Sequence, residues 1–274
     1  MDLSIIVTHH QTLGLLDLCL KSINDTIGSA IKYEILVVDS ESQEQTKQFI
    51  KERYGVVKFI SFKQNVGYSK LVNSGLKKTK GRYILILNAD IIVLDEAVKK
   101  MVNYFREHPE TGIVAPQLLD FTNNIQFSCF SFPTFEAILA RRTFWGKTKR
   151  GKRALNKFAL EESNLSQAKK VDWVQGSAMM VSKKAIDKIG LLDERFFMYF
   201  EDTDWCRRFW HNGYKVIYLP TAKMAHYYHR ASKKSGPVLD VLFNKQARTH
   251  IISALKYFWK YRNINSKIKN QNAK

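Results

Sequence analysis

Residues 65–90 read NVGYSKLVNSGLKKTKGRYILILNAD, and this stretch contains the pattern that decides the fold. Residues 69–79 have the spacing of a helix, and Gly81 follows them as a residue type that commonly ends helices. Residues 83–87 then form an uninterrupted apolar run, which is typical of a strand buried on both faces. Residues 88–90, Asn-Ala-Asp, place polar groups directly at the end of that strand.

The same alternation of apolar runs and helical segments occurs four times between residues 3 and 108. It predicts an α/β fold with a mostly parallel central sheet flanked by helices on both faces. Ligands of such sheets bind beyond the carboxyl ends of the strands. Neither GxGxxG nor GxxxxGK[ST] occurs, so the sequence predicts neither a simple dinucleotide site nor a P-loop. The polar residues at the predicted strand ends are Thr8, Asp39, Asn65, Asn88 and Asp90.

The alternation is lost after Pro116. Residues from about 135 to 168 are basic and lack a clear period, so we expect a long, mobile basic loop with little helix. Residues 171–181 predict a strand that is interrupted at Gly176, and residues 202–212 predict a helix.

The net charge of +19, from 44 basic and 25 acidic residues, indicates a polyanionic partner: nucleic acid, anionic lipid or a phosphorylated substrate. No apolar run reaches the roughly 20 residues of a membrane span, and the first residues lack the basic region of a signal peptide. The three cysteines have no paired spacing, which is typical of reduced thiols in a cytoplasmic protein.

Two basic segments contain no acidic residue at all, residues 141–153 and residues 243–261. The second has apolar residues at helical spacing, which predicts a helix lying on an anionic membrane. The alternative is a helix packed on the domain with a basic face toward solvent. We therefore expect a main domain over residues 1–232 and a basic, membrane-associating tail over residues 233–274.

The segment FFMYFEDTDWCRRF, residues 196–209, places three carboxylates behind an aromatic run: Glu201, Asp202 and Asp204. Buried carboxylates cost free energy unless a cation, a metal or a proton-transfer role compensates them. The segment is therefore either a capped helix start or a reaction centre.

Two acids at strand ends have similar alternatives. Asp90 is either the cap of the next element or a ligand for a divalent cation that also binds substrate phosphates. Asp39 is either a turn residue or an acceptor for the N–H of a base or a ribose hydroxyl.

Four segments in one order resemble the family 2 inverting glycosyltransferases with the GT-A fold, a Rossmann-like sheet. The resemblance is to the rhamnosyltransferase-like branch that builds bacterial surface polysaccharides, and it runs from about residue 3 to about residue 232. The segments are SIIVTHH (4–10), YEILVVDSES (33–42), NVGYSKLVNSGLKKTKGRYILILNAD (65–90) and WVQGSAMMVSKKAIDKIGLLDERFFMYFEDTDWCRRF (173–209).

The resemblance implies a nucleotide site and a metal site. Thr8, Asp39 and Asn65, with Gly67 beside them, match positions that hold the base and ribose. Residues 88–90 match the family's D-x-D motif, in which Asn88 replaces one carboxylate and Asp90 remains for Mn²⁺ or Mg²⁺. His226 matches a histidine that can complete such a metal site, and His229 is its rival.

The resemblance also implies a reaction centre. Asp202 matches the catalytic base of an E-D-x-D motif, with Glu201 and Asp204 as supporting acids. Gly176 lies where a small residue admits sugar and acceptor, and Trp173 of the same segment is either a core residue or a sugar contact. Arg208 either contacts a substrate phosphate or belongs to an ion-paired helix face.

An inverting transfer needs a base for the acceptor hydroxyl and stabilisation of the diphosphate leaving group, and its transition state resembles an oxocarbenium ion. We expect a nucleotide-diphosphate donor, dTDP-L-rhamnose or another such as UDP-hexose, and a glycan or lipid-linked acceptor. The expected location is cytoplasmic, on the inner face of the plasma membrane.

Two alternatives stay open. The charge is typical of a non-enzymatic nucleic-acid-binding protein, but no nucleic-acid motif occurs. A sugar nucleotidylyltransferase would carry a Gly-rich, Arg-containing signature near the first strand, where VTHHQTLG stands instead.

Overall fold

The computed structural model describes residues 1–160, 165–227 and 244–271. Its first half alternates strand and helix, as the sequence predicts. The elements are β1 (Leu3–His9), α1 (Leu13–Thr26), β2 (Tyr33–Ser40), α2 (Glu44–Arg53), β3 (Lys58–Phe62), α3 (Tyr68–Leu76), β4 (Tyr83–Asn88), β5 (Ile91–Val93), α4 (Ala97–Glu107) and β6 (Thr111–Leu119).

The second half contains shorter strands and a different order. Its elements are β7 (Ile125–Gln126), β8 (Cys129–Phe130), α5 (Phe135–Arg142), a 3-10 helix (Phe144–Lys147), α6 (Lys149–Ala159), β9 (Lys169–Lys170), β10 (Trp173–Val174), β11 (Ala178–Ser182), α7 (Lys183–Ile189), α8 (Glu201–His211), β12 (Lys215–His226) and α9 (Lys245–Gln271).

The central sheet has the strand order β3-β2-β1-β4-β11-β6-β12-β5. Its first four strands are parallel, and β12 is parallel to β6. By contrast, β11 runs antiparallel between β4 and β6, and β5 is antiparallel to β12. The mostly parallel sheet is therefore confirmed, with a mixed second half that inserts β11 beside β4.

Alternate residues of the central strands enter two separate hydrophobic layers. Leu85 and Leu87 pack with α1 and α4 on one face, whereas Ile84 and Ile86 pack with α3, α7 and α8 on the other. Because both faces are covered, β4 has no polar residue until its end. The helices on both faces confirm the predicted layers.

The basic region expected as a loop contains three helical segments instead. Each begins at a threonine whose hydroxyl accepts a backbone N–H: Thr134 from Ala137, Thr143 from Trp145 and Thr148 from Gly151. Short helices of this kind depend on local caps more than on a long apolar period. The apolar periodicity of the sequence therefore did not predict these three helical segments.

The basic C-terminal segment is helical, as expected, and it is docked on the domain. Ala254, Tyr257 and Tyr261 of α9 are buried against Phe196 and Phe200, which precede α8. The expected boundary at residue 232 lies outside the described residues. In the part of the chain that the structure describes, no helix combines the length and apolar character needed to cross a bilayer.

Candidate active site

The parallel register places predicted site residues side by side at the carboxyl edge of the sheet. Thr8 pairs with Asn88 across β1 and β4, and His9 pairs with Asp39 across β1 and β2. The Thr8 hydroxyl lies 3.0 Å from Asn88 Oδ1, to which it donates. This contact fixes the side-chain amide of Asn88 at the end of β4.

Asp39 is held by a histidine that the sequence left without a defined role. His9 Nδ1 lies 2.7 Å from Asp39 Oδ1, and His9 Nε2 accepts the Thr12 N–H at 2.9 Å. The ring therefore carries its hydrogen on Nδ1 and donates it to the carboxylate. Asp39 Oδ2 is buried and has no partner among the described residues. A buried, unpaired acceptor fits a ligand N–H or hydroxyl.

The Asn65–Gly67 turn is closed by its own side chain and packed against the segment before α8. Asn65 Oδ1 accepts the Gly67 N–H at 3.0 Å. Gly67 has φ +81°, and a Cβ there would lie 2.5 Å from the Phe197 carbonyl oxygen. Only glycine fits this close approach. The Tyr68 N–H donates to the same carbonyl at 2.7 Å, so the turn lies next to the residues leading into α8.

Asp90 and His226 face each other, with Asp90 Oδ2 3.6 Å from His226 Nε2. Gln126 orients the imidazole through two hydrogen bonds. His226 Nδ1 donates to Gln126 Oε1 at 2.9 Å, and the Gln126 amide donates to the His226 carbonyl at 3.0 Å. Asp90 Oδ1 is buried without a partner in the described part of the chain. An oriented imidazole beside an unsatisfied carboxylate oxygen fits a divalent cation.

The described residues contain no group of three or more His, Cys, Asp or Glu side chains that could hold a metal ion. A carboxylate and an imidazole would therefore leave other coordination positions to phosphate oxygens and water, as Mg²⁺ commonly uses. His229, the alternative ligand, lies outside the described residues.

Asp202 lies in the first turn of α8 with backbone donors around its carboxylate. Its Oδ2 accepts the Gly176 N–H at 3.0 Å, and its Oδ1 accepts the Thr203 N–H at 2.7 Å. Burial raises the pKa of Asp202, and these hydrogen bonds oppose the rise. Its pKa thus moves toward the range in which a carboxylate accepts a proton near neutral pH.

Glu201 is buried beside Asp202, and its Oε2 has no partner in the described segments. Burial, reinforced by the negative charge of Asp202, raises the pKa of Glu201 well above its usual value. Glu201 therefore retains its proton more readily than Asp202.

The turn that leads into α8 is strained. Tyr199 and Phe200 both have positive φ, at 69° and 68°, which non-glycine residues rarely adopt. The C-terminal helix supports this turn, because Ser253 Oγ donates to the Met198 carbonyl at 2.8 Å and Phe200 packs on Tyr257. Strain of this kind persists where surrounding contacts impose it, and it is common at functional sites.

Tyr68 is a central residue of this site that sequence reasoning missed. Its hydroxyl donates to the Gly176 carbonyl, and a Cβ on Gly176 would meet the Tyr68 ring at 3.2 Å. Burial and the charges of Glu201, Asp202 and Asp90 raise its pKa well above the usual value. Tyr68 therefore keeps its proton and acts as a hydrogen-bond donor. In the sequence, the feature that could have drawn attention to Tyr68 is its position directly after Asn65-Val66-Gly67.

Hydrogen bonds connect the start of α8 with the end of β4, about 110 positions apart in the sequence. Asp202 Oδ2 accepts the Gly176 N–H at 3.0 Å, and the carbonyl of the next residue, Ser177, accepts the Asn88 N–H at 2.9 Å. Residues 176 and 177 therefore lie between Asp202 and the Asn88–Asp90 segment.

Asp204 and Arg208 lie on a different side of α8. Asp204 is fully buried and accepts from Arg208 Nε at 3.0 Å, from Lys260 Nζ at 2.5 Å and from the Tyr261 hydroxyl at 2.8 Å. Arg208 also donates to the carbonyls of Ile189 and Leu191. These contacts match the ion-paired alternative for Arg208 and give Asp204 structural partners, whereas the supporting acid and the substrate contact stay predictions.

Trp173 is half-buried in an aromatic group next to Gly176. Its indole N–H donates to the Ser131 carbonyl at 2.9 Å, and its ring stacks on Phe130 with centroids 4.8 Å apart. These contacts match the core alternative, and a sugar contact at Trp173 stays a prediction.

Comparison with known families adds to this geometry. The model described as "Glycosyl transferase family 2" matches residues 4–190. This chain belongs to glycosyl transferase family 2. Membership in an enzyme family favours catalysis over the nucleic-acid-binding alternative.

Several curated proteins are similar to this glycosyltransferase. The N-acetylglucosaminyl-diphospho-decaprenol L-rhamnosyltransferase of Mycobacterium tuberculosis is 25% identical over 209 residues, which span 70% of this chain and 66% of that protein. The rhamnosyltransferase WbbL of Escherichia coli is 23% identical over 86% of this chain and 85% of its own length. The low-salt glycan biosynthesis hexosyltransferase Agl10 of Haloferax volcanii is 28% identical over 76% of this chain and 61% of that protein.

Solved glycosyltransferases share the fold. The crystal structure of GalNAc-T7 with UDP, GalNAc and Mn²⁺ superposes with a TM-score of 0.64 at 15% identity, over 92% of this chain and 47% of that one. Staphylococcus aureus TarS residues 1–349 give a TM-score of 0.57 at 15% identity, over 82% of this chain and 60% of that one. These likenesses confirm the GT-A architecture.

Proposed function

We propose that this glycosyltransferase is an inverting enzyme that transfers L-rhamnose from dTDP-L-rhamnose to a hydroxyl of a glycan or lipid-linked oligosaccharide in bacterial surface polysaccharide synthesis. The observation that carries the proposal is the hydrogen-bonded connection, through residues 176 and 177, between Asp202 at the start of α8 and the Asn88–Asp90 segment at the end of β4. Two relatives with rhamnosyltransferase names support the donor, although Agl10, named only as a hexosyltransferase, leaves UDP-hexose as the competing donor.

Asp202 acts as the base in this proposal. It takes the proton of the acceptor hydroxyl while that oxygen bonds to the anomeric carbon and the bond from this carbon to the diphosphate oxygen breaks. The raised pKa of Asp202 supports the role, because a carboxylate with a higher pKa accepts a proton more readily. The Gly176 and Thr203 N–H groups orient the carboxylate.

Asp90 and His226 would hold a divalent cation, Mn²⁺ or Mg²⁺. When bound, such a cation stabilises the negative charge on the diphosphate leaving group as a Lewis acid. The unpaired Asp90 Oδ1 and the imidazole oriented by Gln126 support this assignment.

The nucleotide lies on the other side of Asp90 in this proposal, over β1 and β2. Asp39 Oδ2 accepts from the base or ribose, and Thr8 and Asn65 complete that side. His9 keeps Asp39 oriented through its Nδ1 hydrogen bond. The leaving diphosphate then lies between the nucleotide and the Asp90–His226 pair.

A lipid-linked acceptor places the enzyme on the cytoplasmic face of the plasma membrane. The +19 charge supports contact with anionic lipid, and the mycobacterial relative is named for a decaprenol-linked acceptor.

A panel of nucleotide sugars, each with Mn²⁺, Mg²⁺ or EDTA, tests the proposal by release of the nucleoside diphosphate and by product mass. We expect turnover with dTDP-L-rhamnose that EDTA abolishes and that Asp90→Asn reduces, whereas Asp120→Asn on an exposed turn leaves it unchanged. Turnover with UDP-hexose alone would overturn the donor assignment. Full activity in EDTA would remove the metal assignment.

A further inference from the structure

The C-terminal helix has two apolar stripes, and only one of them contacts the domain. Ala247, Ala254, Tyr257 and Tyr261 form the inward stripe and are buried. On another face, Ile252, Leu255 and Trp259 recur at helical spacing and are 52%, 64% and 71% exposed. An amphipathic helix that only covered a domain would present polar residues there.

The helix α5, at the start of the basic region over residues 135–168, lies beside this outward stripe. The Phe135 ring of α5 meets Phe258 of α9 edge to face, with centroids 6.3 Å apart, and Ile138 packs on the cluster around Tyr257. Phe135 and Leu139 nevertheless remain 69% and 42% exposed. The two helices therefore contribute to one exposed apolar area, which we call the interfacial surface. Its residues are Phe135, Leu139, Ile252, Leu255 and Trp259.

Positive charge surrounds the interfacial surface. Arg248 and Arg262 continue the outward stripe at both ends, and the Arg262 guanidinium lies 3.6 Å from the centroid of the Trp259 ring. Residues 244–262 contain five basic residues and residues 141–153 contain seven, and neither range contains an acid. The acid on α5, Glu136, is paired with Arg150 at 3.1 Å. Aromatic and apolar side chains bordered by cations are complementary to an anionic lipid surface.

The interfacial surface is attached to the turn that carries the proposed base. The Ser253 hydroxyl of α9 holds the Met198 carbonyl, and Lys256 Nζ donates to the Arg195 carbonyl at 2.7 Å. Lys260 and Tyr261 bind Asp204, two residues after Asp202. A bilayer on the outer side of α9 would thus lie within one helix diameter of the turn that leads into α8.

We propose that the interfacial surface binds the headgroup region of an anionic bilayer, with both α5 and α9 in contact. The contact would present a lipid-linked acceptor to Asp202, and this role of the contact rests on the proposed function. Vesicle binding itself requires neither a donor nor sugar transfer.

Flotation with phosphatidylcholine vesicles, with and without phosphatidylglycerol, tests this surface. We expect binding only with the anionic lipid, weakening as salt rises. The triple variant Ile252→Gln/Leu255→Gln/Trp259→Gln should bind at least about tenfold more weakly, and Phe135→Gln/Leu139→Gln should weaken binding as well. The matched control is Leu18→Gln/Val56→Gln, which removes two exposed apolar side chains elsewhere and should bind as the wild type does.

Failure of the wild type to bind anionic vesicles, or equal binding by the triple variant, would overturn the inference. A wild-type dimer that the triple variant converts to a monomer, seen by analytical ultracentrifugation, would assign the surface to a second copy of the chain and also overturn it. Binding of dTDP, followed in parallel by calorimetry, separates the two proposals. Loss of vesicle binding with dTDP affinity retained contradicts only the membrane contact, whereas vesicle binding without dTDP affinity contradicts only the proposed function.

Discussion

Two faces of α8 use the same type of residue for opposite purposes. Asp202 faces Gly176, is surrounded by N–H donors and has no ion-pair partner at 4.0 Å or less among the described residues. Asp204, two residues later, faces α9 and contacts Arg208, Lys260 and Tyr261. A carboxylate without a cation can exchange a proton, whereas one between two cations holds elements together. Both roles therefore fit within a single E-D-x-D segment.

Removal of the proposed base, Asp202, should produce the largest loss of activity. Asp202→Asn keeps the shape of the side chain but cannot take the acceptor proton, so we expect kcat to fall by about 100- to 10,000-fold. Steady-state transfer assays measure the change. Asp187→Asn, on the exposed side of α7, is the control and should retain activity. Unchanged transfer in Asp202→Asn would exclude it as the base.

Asp204→Asn should instead lower stability. It leaves the Lys260 ammonium and the Arg208 guanidinium without their counter-charge, and we expect the free energy of unfolding to fall by about 3 kcal/mol. Urea unfolding followed by circular dichroism gives this value. Asp187→Asn removes an exposed ion pair with Lys183 and should change the free energy of unfolding by less than about 0.5 kcal/mol. Equal stabilities of the two variants would contradict a role for Asp204 in holding α9.

Tyr68→Phe should have a smaller effect, which lowers the rate of transfer and leaves nucleotide binding nearly unchanged. The variant keeps the ring against Gly176 but loses the hydrogen bond to its carbonyl, which is typically worth about 1 kcal/mol. We expect kcat to fall about fivefold, with nucleotide affinity nearly unchanged. Tyr33→Phe, far from the site on β2, is the matched control. A loss of nucleotide affinity without a change in kcat would place Tyr68 in the donor site instead.

Glu201→Gln tests the raised pKa of Glu201 beside Asp202 through the pH dependence of stability. The pKa of Glu201 is raised in the folded protein, so the folded state holds its proton more tightly than the unfolded chain does. Stability should therefore decline as pH rises above the usual value of 4.5 toward the folded pKa. The variant cannot ionise and should lack this decline. Thermal melting at pH 5 and pH 8 compares the two proteins, and an identical pH dependence would contradict the raised pKa.

The sequence predicted the first half of the fold well because its elements are regular. The runs that became β1, β2 and β4 are buried on both faces, and the helices between them carry apolar stripes. The same regularity placed Asp39 and Asp90 at strand ends. Their unpaired oxygens, by contrast, could be seen only in three dimensions.

The second half was harder to predict because its decisive contacts are distant in sequence. The structural role of Asp204 depends on Lys260 and Tyr261, more than 50 positions later. Tyr68 depends on Gly176, whose carbonyl no sequence pattern marks as an acceptor. The helices α5 and α6 of the basic region depend on single threonine caps, which a search for apolar periodicity overlooks.

The most direct test of the division between the two faces of α8 is the ratio of single-turnover transfer rates in Asp202→Asn and Asp204→Asn. Each rate is measured at saturating donor and divided by the folded fraction of that variant. We predict that Asp202→Asn is at least about 100-fold slower than wild type per folded molecule, while Asp204→Asn remains within about tenfold. Equal rates in the two variants, or a slower Asp204→Asn, would contradict the assignment of Asp202 as the base.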